Sequence, residues 1–383
     1  MVRYILALCL AWLPFSFGKI EIGVVTFTSY ILVMLALIPV ALWNFLRRGR
    51  YSPLGLNDIL IGVLCLAFLV STLWSRRPMQ TGYLAFHAIF IPVVSYVVIK
   101  GVMATKPYSR MPFNMMLFGF VIFCLFALVI FIKAGTSSRV LVFARDSIAV
   151  ATFSVVPLLY VAFSGQWKRP PGFIAGFLAF GSLVGSLSRA YLVVLPLTPV
   201  LYWGIKKGYA VFLLIGFLLT TLLGTIVLIE NVDVLSSYHW NPRLENSVER
   251  LTNLDYWKAG LFPRAVHFKE SLEAFLASPV FGVGLRVSKG FGSTVHNVHL
   301  EWLEYGGLFG YMLFSIVFLA HFAFVAKQAM RDDLCAINVL IIFVILLNAM
   351  TNGFMHGVMP YVVFILMAFS ELRVYSEKWK NIS

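Results

Sequence analysis

Residues 115–132, Met115-Met116-Leu117-Phe118-Gly119-Phe120-Val121-Ile122-Phe123-Cys124-Leu125-Phe126-Ala127-Leu128-Val129-Ile130-Phe131-Ile132, decide the fold class. The run carries no charge, and with its flanks at 112–133 it reaches the roughly 20 residues that an α-helix needs to cross a bilayer. Its apolar character is continuous where a half-buried strand would alternate, which selects helix. Hydrocarbon offers a backbone no partners, so a spanning segment must satisfy its own hydrogen bonds.

Comparable runs lie at 4–18, 23–46, 57–75, 82–104, 147–164, 172–188, 190–205, 209–230, 305–326, 335–352 and 357–374. About twelve spans are therefore expected, the first and eighth of them short. Composition agrees, with 60% of residues hydrophobic and 12% charged, against about a quarter charged in a soluble domain. The expected architecture is an all-α polytopic membrane protein in three sections. Spans one to nine occupy 1–230, a large, partly helical loop or cap occupies 231–304, and spans ten to twelve with a tail occupy 305–383.

A formal charge of +14 would suggest nucleic acid for a soluble protein. Here much of it flanks spans facing anionic lipid, so membrane lipid is the expected partner and nucleic acid is not. Cys9, Cys65, Cys124 and Cys335 each lie in an apolar run without metal or redox spacing and read as packing residues. Met1-Val2-Arg3 and the apolar run to Phe17 resemble a signal peptide, but Ser16 to Gly18 is not a convincing small-x-small cleavage site and the topology closes only if the run is kept, so a retained first span is expected.

With both termini inside, the inner loops receive Arg47-Arg48-Gly49-Arg50, then Lys100, Lys106 and Arg110, Lys168-Arg169, Lys206-Lys207, Lys327 with Arg331, and a tail with Arg373, Lys378 and Lys380. Short, regularly basic loops are what the positive-inside rule counts. The turns at Lys19, Ser75-Arg76-Arg77-Pro78 and Ser188-Arg189-Ala190, the loop from Lys133 to Asp146, and the interval 231–304 then lie outside. Arg76 and Arg77 read as snorkelling span ends.

Arg189 joins two apolar runs with almost no loop, which places a guanidinium at the outer membrane edge. Arginine near hydrocarbon is costly, about 2.5 to 3.5 kcal/mol at a span centre. With small serines around it and no acid nearby in sequence, it suits an anion as well as it suits a snorkelling anchor. Arg264 follows Pro263, where a helix is expected to begin. A cation at a helix N-terminus opposes the macrodipole, an oddity easier to explain if it and the free N–H groups address a bound anion; the alternative is a solvated surface arginine. Arg139 and Arg145 flank Val140 to Ala144 and fit an interfacial segment better than a ligand site.

Gly282-Val283-Gly284 follows no strand and is not a dinucleotide fingerprint; these glycines bend a loop. In the run His296-Asn297-Val298-His299-Leu300-Glu301-Trp302-Leu303-Glu304, helical spacing aligns Asn297, Glu301 and Glu304 on one stripe of an amphipathic segment. His296, at its start, is the side chain best suited to take a proton near neutral pH. His299 and His267 read as structural. His296 and His299 match no common zinc spacing, and Asp332-Asp333 reads as a solvated inner loop, so no metal is expected.

At these residues the sequence resembles the O-antigen ligase and polymerase superfamily. The likeness lies in Ser188-Arg189 ending a span, Arg264 before Pro279-Val280-Phe281-Gly282-Val283-Gly284, and His296-Asn297 leading into Leu300, Gly306-Gly307-Leu308 and Gly310, with a large outer loop before the last three spans. It covers roughly the C-terminal half. The resemblance implies a GT-C-like glycosyltransferase of the bacterial inner membrane with its site facing the periplasm and no cofactor or metal. The implied donor is an undecaprenyl diphosphate-linked glycan, and the implied acceptor a sugar hydroxyl of lipid A-core or of another glycan. It also implies His296 as general base and Arg189 and Arg264 as holders of the diphosphate, with Asn297, Arg145, Arg139 and His299 as supporting candidates. Ligase is the first expectation and polymerase the second. A transporter or flippase would require ionisable residues near the middle of spans, where His87 is the main example.

Overall fold

Apolar runs become helices wherever their length lets the backbone bond to itself. The computed structural model describes residues 1–16, 19–22, 25–47, 55–75, 78–103, 109–134, 142, 147–186, 188–230, 254–284, 297–355 and 357–380. For 19–22, 25–26, 80, 134, 189, 228, 254–265, 351 and 378–380 the description covers the backbone. The order is α1 (Val2–Trp12), β1 (Lys19–Ile22), β2 (Val25–Thr28), α2 (Ser29–Arg47), α3 (Leu56–Val70), α4 (Pro78–Ala85), α5 (Ile91–Met103), α6 (Met111–Ala134), α7 (Ser147–Phe163) and α8 (Pro170–Gly185). Then come α9 (Arg189–Val194), α10 (Thr198–Lys206), α11 (Ala210–Glu230), α12 (Leu254–Ala277), α13 (Val298–Arg331), α14 (Asp333–Asn352) and α15 (Met359–Lys380).

The chain is an all-α polytopic membrane protein. Among the described residues eight helices are long and apolar enough to cross a membrane, and four shorter apolar ones, Val2–Phe15, Ser147–Phe163, Pro170–Gly185 and Ala190–Lys206, accompany them. Among the described residues the helices are joined by a small antiparallel hairpin, β1 with β2, pairing Lys19 with Thr28 and Ile22 with Val25. It replaces the simple turn expected at Lys19 and delays the second span to Ser29. Most of α14 and α15 is buried inside the bundle, whereas α2 and α11 are largely peripheral. Helices α1 and α6 cross so closely that a Cβ at Gly119 would collide with the Ala11 carbonyl, the small-residue packing expected where lipid supplies no hydrophobic drive between helices.

Two helix starts differ from the sequence reading. Helix α12 begins at Leu254, so Pro263 and Arg264 lie well inside it and Arg264 has no helix N-terminus to share with an anion. Helix α13 begins at Val298, inside the interval expected to be loop up to 304, because its polar residues find buried partners. Two inner cations also change role. Lys100 is buried and paired with Asp58 at 2.5 Å and Glu371 at 2.8 Å. Arg373 grips Asp332 through Nε and Nη2 at 2.7 and 2.8 Å. Asp332 is therefore a fixed partner and not a solvated loop acid, while Asp333, more exposed, pairs with Lys206 at 2.9 Å.

Candidate functional site

The site is built around the first two turns of α13. Asn297 caps the helix, its Oδ1 accepting from the His299 and Leu300 amides at 2.9 and 3.2 Å. A side-chain cap of this kind satisfies donors that the first turn leaves free. Its Nδ2 donates to Thr225 Oγ1 on α11 at 2.8 Å. One turn along α11, Thr221 Oγ1 meets His299 Nε2 at 2.7 Å, and His299 Nδ1 meets the Tyr311 hydroxyl at 2.9 Å. Both ring nitrogens of the fully buried His299 are thus engaged, which makes it a structural residue.

The expected amphipathic stripe does not face water. Val298 to Trp302, Glu304 and Tyr305 are all buried, and the polar side chains address different neighbours. Glu301 Oε2 accepts from the Phe354 and Met355 amides at 2.5 and 3.0 Å, holding the turn between α14 and α15. Glu304 meets Ser271 of α12, while its Oε2 finds no partner among the described residues. Trp302 stands edge-on to Phe68 at 4.7 Å and stacks on Phe314 at 4.2 Å.

The helix then breaks at Gly307, whose φ of 62° and ψ of −163° are accessible essentially to glycine alone. The turn that follows α12 closes over the break. Leu308 N donates to Pro279 O at 2.8 Å, Phe309 N to Val280 O at 3.1 Å, and Val283 N to Glu304 O at 2.8 Å. Backbone groups released by the break are thereby satisfied within the protein, as a membrane interior demands. The approach requires glycine on both sides. A Cβ at Gly282 (φ 71°) would lie 2.6 Å from Gly307 N, and one at Gly307 would strike the Val280 carbonyl. Pro279–Gly284 and Gly306-Gly307 are two halves of one joint.

Beside the joint an apolar groove of about 270 Å³ opens between α3 and α13, lined by Phe68, Ser71, Trp74, Phe281, Gly306 and Phe309 among others. Gly306 lies in the lining of the groove, and the polar anchorage occupies the two turns of α13 before it.

Of the expected site residues, Asn297 and His299 lie in this constellation. His296, Arg139 and Arg145 fall outside the described residues. Arg189 opens α9 directly after a tight turn, and two residues on Tyr191 is buried against Thr152 at 2.8 Å and the Asn348 side chain of α14. That ties the start of α9 to the helix whose far end Glu301 holds. Arg264 lies on α12, which runs parallel to the first half of α13. Phe268 packs against Leu300, and Ser271 meets Glu304. Thr221 and Thr225 escaped the sequence reading; two hydroxyls four residues apart in an apolar run are the signal that marks them. Among the described residues no three His, Cys, Asp or Glu side chains group as metal ligands. No protein-family model matches the chain, and no curated protein matches it.

Proposed function

We propose that the chain is a glycosyltransferase of the lipid-donor kind, similar to O-antigen ligases, working at the outer face of the bacterial inner membrane. In this reading the four shorter apolar helices also cross, giving twelve spans of GT-C-like character with both termini cytoplasmic. The observation that carries the reading is the joint in α13, where a buried polar anchorage over the first two turns is followed directly by an apolar groove with Gly306 in its lining. A substrate with a polar head and a long apolar tail needs that juxtaposition.

The chemistry follows from charge. His296 takes the proton of an acceptor sugar hydroxyl, and the oxygen attacks the anomeric carbon of the glycan on undecaprenyl diphosphate. The bond from that carbon to the diphosphate oxygen breaks, and the diphosphate leaves with the electron pair. Arg189 and Arg264 meet the charge it gathers, at sites where fixed cations act without reorganisation. A positioned base contributes about 10²- to 10⁴-fold, and the larger share falls to the phosphate clamp and to holding donor and acceptor together.

Lipopolysaccharide from a deletion strain complemented with wild type or His296→Ala tests this. Loss of all capped core in the deletion and in His296→Ala, with the variant still inserted in the membrane, supports a ligase acting on lipid A-core. Core bearing a single repeat unit indicates a polymerase. Near-normal capping with His296→Ala removes the histidine from its role. The buried charges on α3, α5, α13 and α15 favour a transporter as second reading, and substrate flux across liposomes that survives His296→Ala would establish it.

A further inference from the structure

Away from the joint, four helices bring ionisable groups together inside the bundle. Asn57 and Asp58 come from α3, Tyr96 and Lys100 from α5, His321 from α13, and Glu371, with Tyr375 beside it, from α15. His321 follows Gly307 by fourteen residues, about 21 Å along a helix at 1.5 Å per residue, so this cluster is separate from the groove. Its charged side chains are nearly inaccessible, from 0% for His321 and 1% for Lys100 and Glu371 to 9% for Asp58.

The contacts are dense. Lys100 Nζ reaches Asp58 Oδ1 at 2.5 Å, Glu371 Oε2 at 2.8 Å and the Tyr96 hydroxyl at 3.1 Å. Glu371 Oε1 accepts from Asn57 Nδ2 at 3.0 Å and meets His321 Nδ1 at 3.2 Å. Asp58 Oδ2 accepts from the Gly55 amide at 2.7 Å. The Tyr96 oxygen lies 2.8 Å from Asp58 Oδ1 and 2.6 Å from Glu371 Oε2.

Two counts come out one short. Among the described residues, with both carboxyls ionised and Lys100 charged, the cluster holds one negative charge too many, and an uncompensated buried charge is among the costliest features a membrane interior can carry. Hydrogens are also short by one. Lys100 commits its three, and the Tyr96 hydroxyl has a single hydrogen for two oxygens at hydrogen-bond distance. One further proton, bridging a carboxyl to the Tyr96 oxygen or resting on His321, makes the cluster neutral. On the bridge it also supplies the missing hydrogen.

We infer that the Asp58–Tyr96–Lys100–His321–Glu371 cluster is a proton-binding site that holds one exchangeable proton beyond those of its lysine and tyrosine. It joins α3 and α13, the two helices that wall the groove, to α5 and α15. The ligand is a proton only; with Lys100 in the centre and its hydrogens committed to both acids, there is no room for a metal cation.

Infrared spectra of the full purified chain in detergent at neutral pH test this. A carboxylic-acid C=O band sensitive to deuterium exchange is expected in wild type, distinct from the bands of the buried Glu301 and Glu304, which Glu301→Gln and Glu304→Gln identify. It should vanish from both Asp58→Asn and Glu371→Gln, because Lys100 then balances the one carboxylate left, and it should survive Tyr96→Phe. An imidazolium at His321, with the acid band appearing only in His321→Gln, equally supports the site and puts the proton on the histidine. Wild type with no acid band lost in either isosteric variant and with a neutral His321 would overturn it. Solid-state NMR of the wild-type carboxyl carbons and imidazole nitrogens reads the same protonation without any substitution, should a variant fail to fold.

Discussion

Gly307 carries the sharpest single-residue consequence. Its backbone angles and the Val280 carbonyl beside it leave no room for a side chain. Strain of that kind costs on the order of 1–3 kcal/mol before any clash is counted. Gly307→Ala is therefore expected to lower the melting temperature in detergent by several degrees or to abolish the folded form, whereas Gly216→Ala, with open space around it, should be neutral. Asn297→Ala removes the cap and the Thr225 contact and should cost about 1 kcal/mol of stability. Arg189→Lys keeps charge but loses the planar fork; under the proposed chemistry it should lose most transfer activity, and an unaffected variant would make Arg189 a snorkelling anchor.

Among the elements, the first two turns of α13 are the hub. They touch α11 through Asn297 and His299, α12 through Leu300 and Glu304, and the α14–α15 turn through Glu301. Glu301→Ala should free the Phe354 and Met355 amides, each left buried without its acceptor at a cost of about 1–3 kcal/mol. Hydrogen exchange read by mass spectrometry should speed up in the peptide covering 353–358 while the middle of α14 stays protected. Unchanged protection there would mean that the turn stands without its carboxylate. Helical periodicity put Asn297, Glu301 and Glu304 on one stripe, yet they address α11, the α14–α15 turn and α12, because a polar stripe on a helix does not say whether it meets water or other protein.

For the whole molecule, the positive-inside count loses Lys100 to the buried cluster and Arg373 to Asp332. The proposed orientation then rests on the other cations of the expected inner loops. With that orientation, Phe281→Cys should react with a membrane-impermeant maleimide from the periplasm, and Asp333→Cys only after lysis. The reverse pattern would invert the topology and remove the proposed site from the periplasmic face.

Length and continuity of the apolar runs were enough to establish a helical membrane protein, because hydrocarbon admits few ways to satisfy a backbone. Gly282 and Gly284 were legible as a bend because glycine enters the left-handed region at no steric cost, whereas Gly306 and Gly307 lay at the start of an expected span. Their mutual docking was not legible, since it depends on two segments more than twenty residues apart meeting within hydrogen-bond distance. Nor could the chain alone reveal that Lys100, Asp58, His321 and Glu371 converge, because each sits near the end of an apolar run and looks like an ordinary interfacial charge. Charge neutralisation is pairwise and spatial, and only the packing of α3, α5, α13 and α15 turned four separate charges into one buried site.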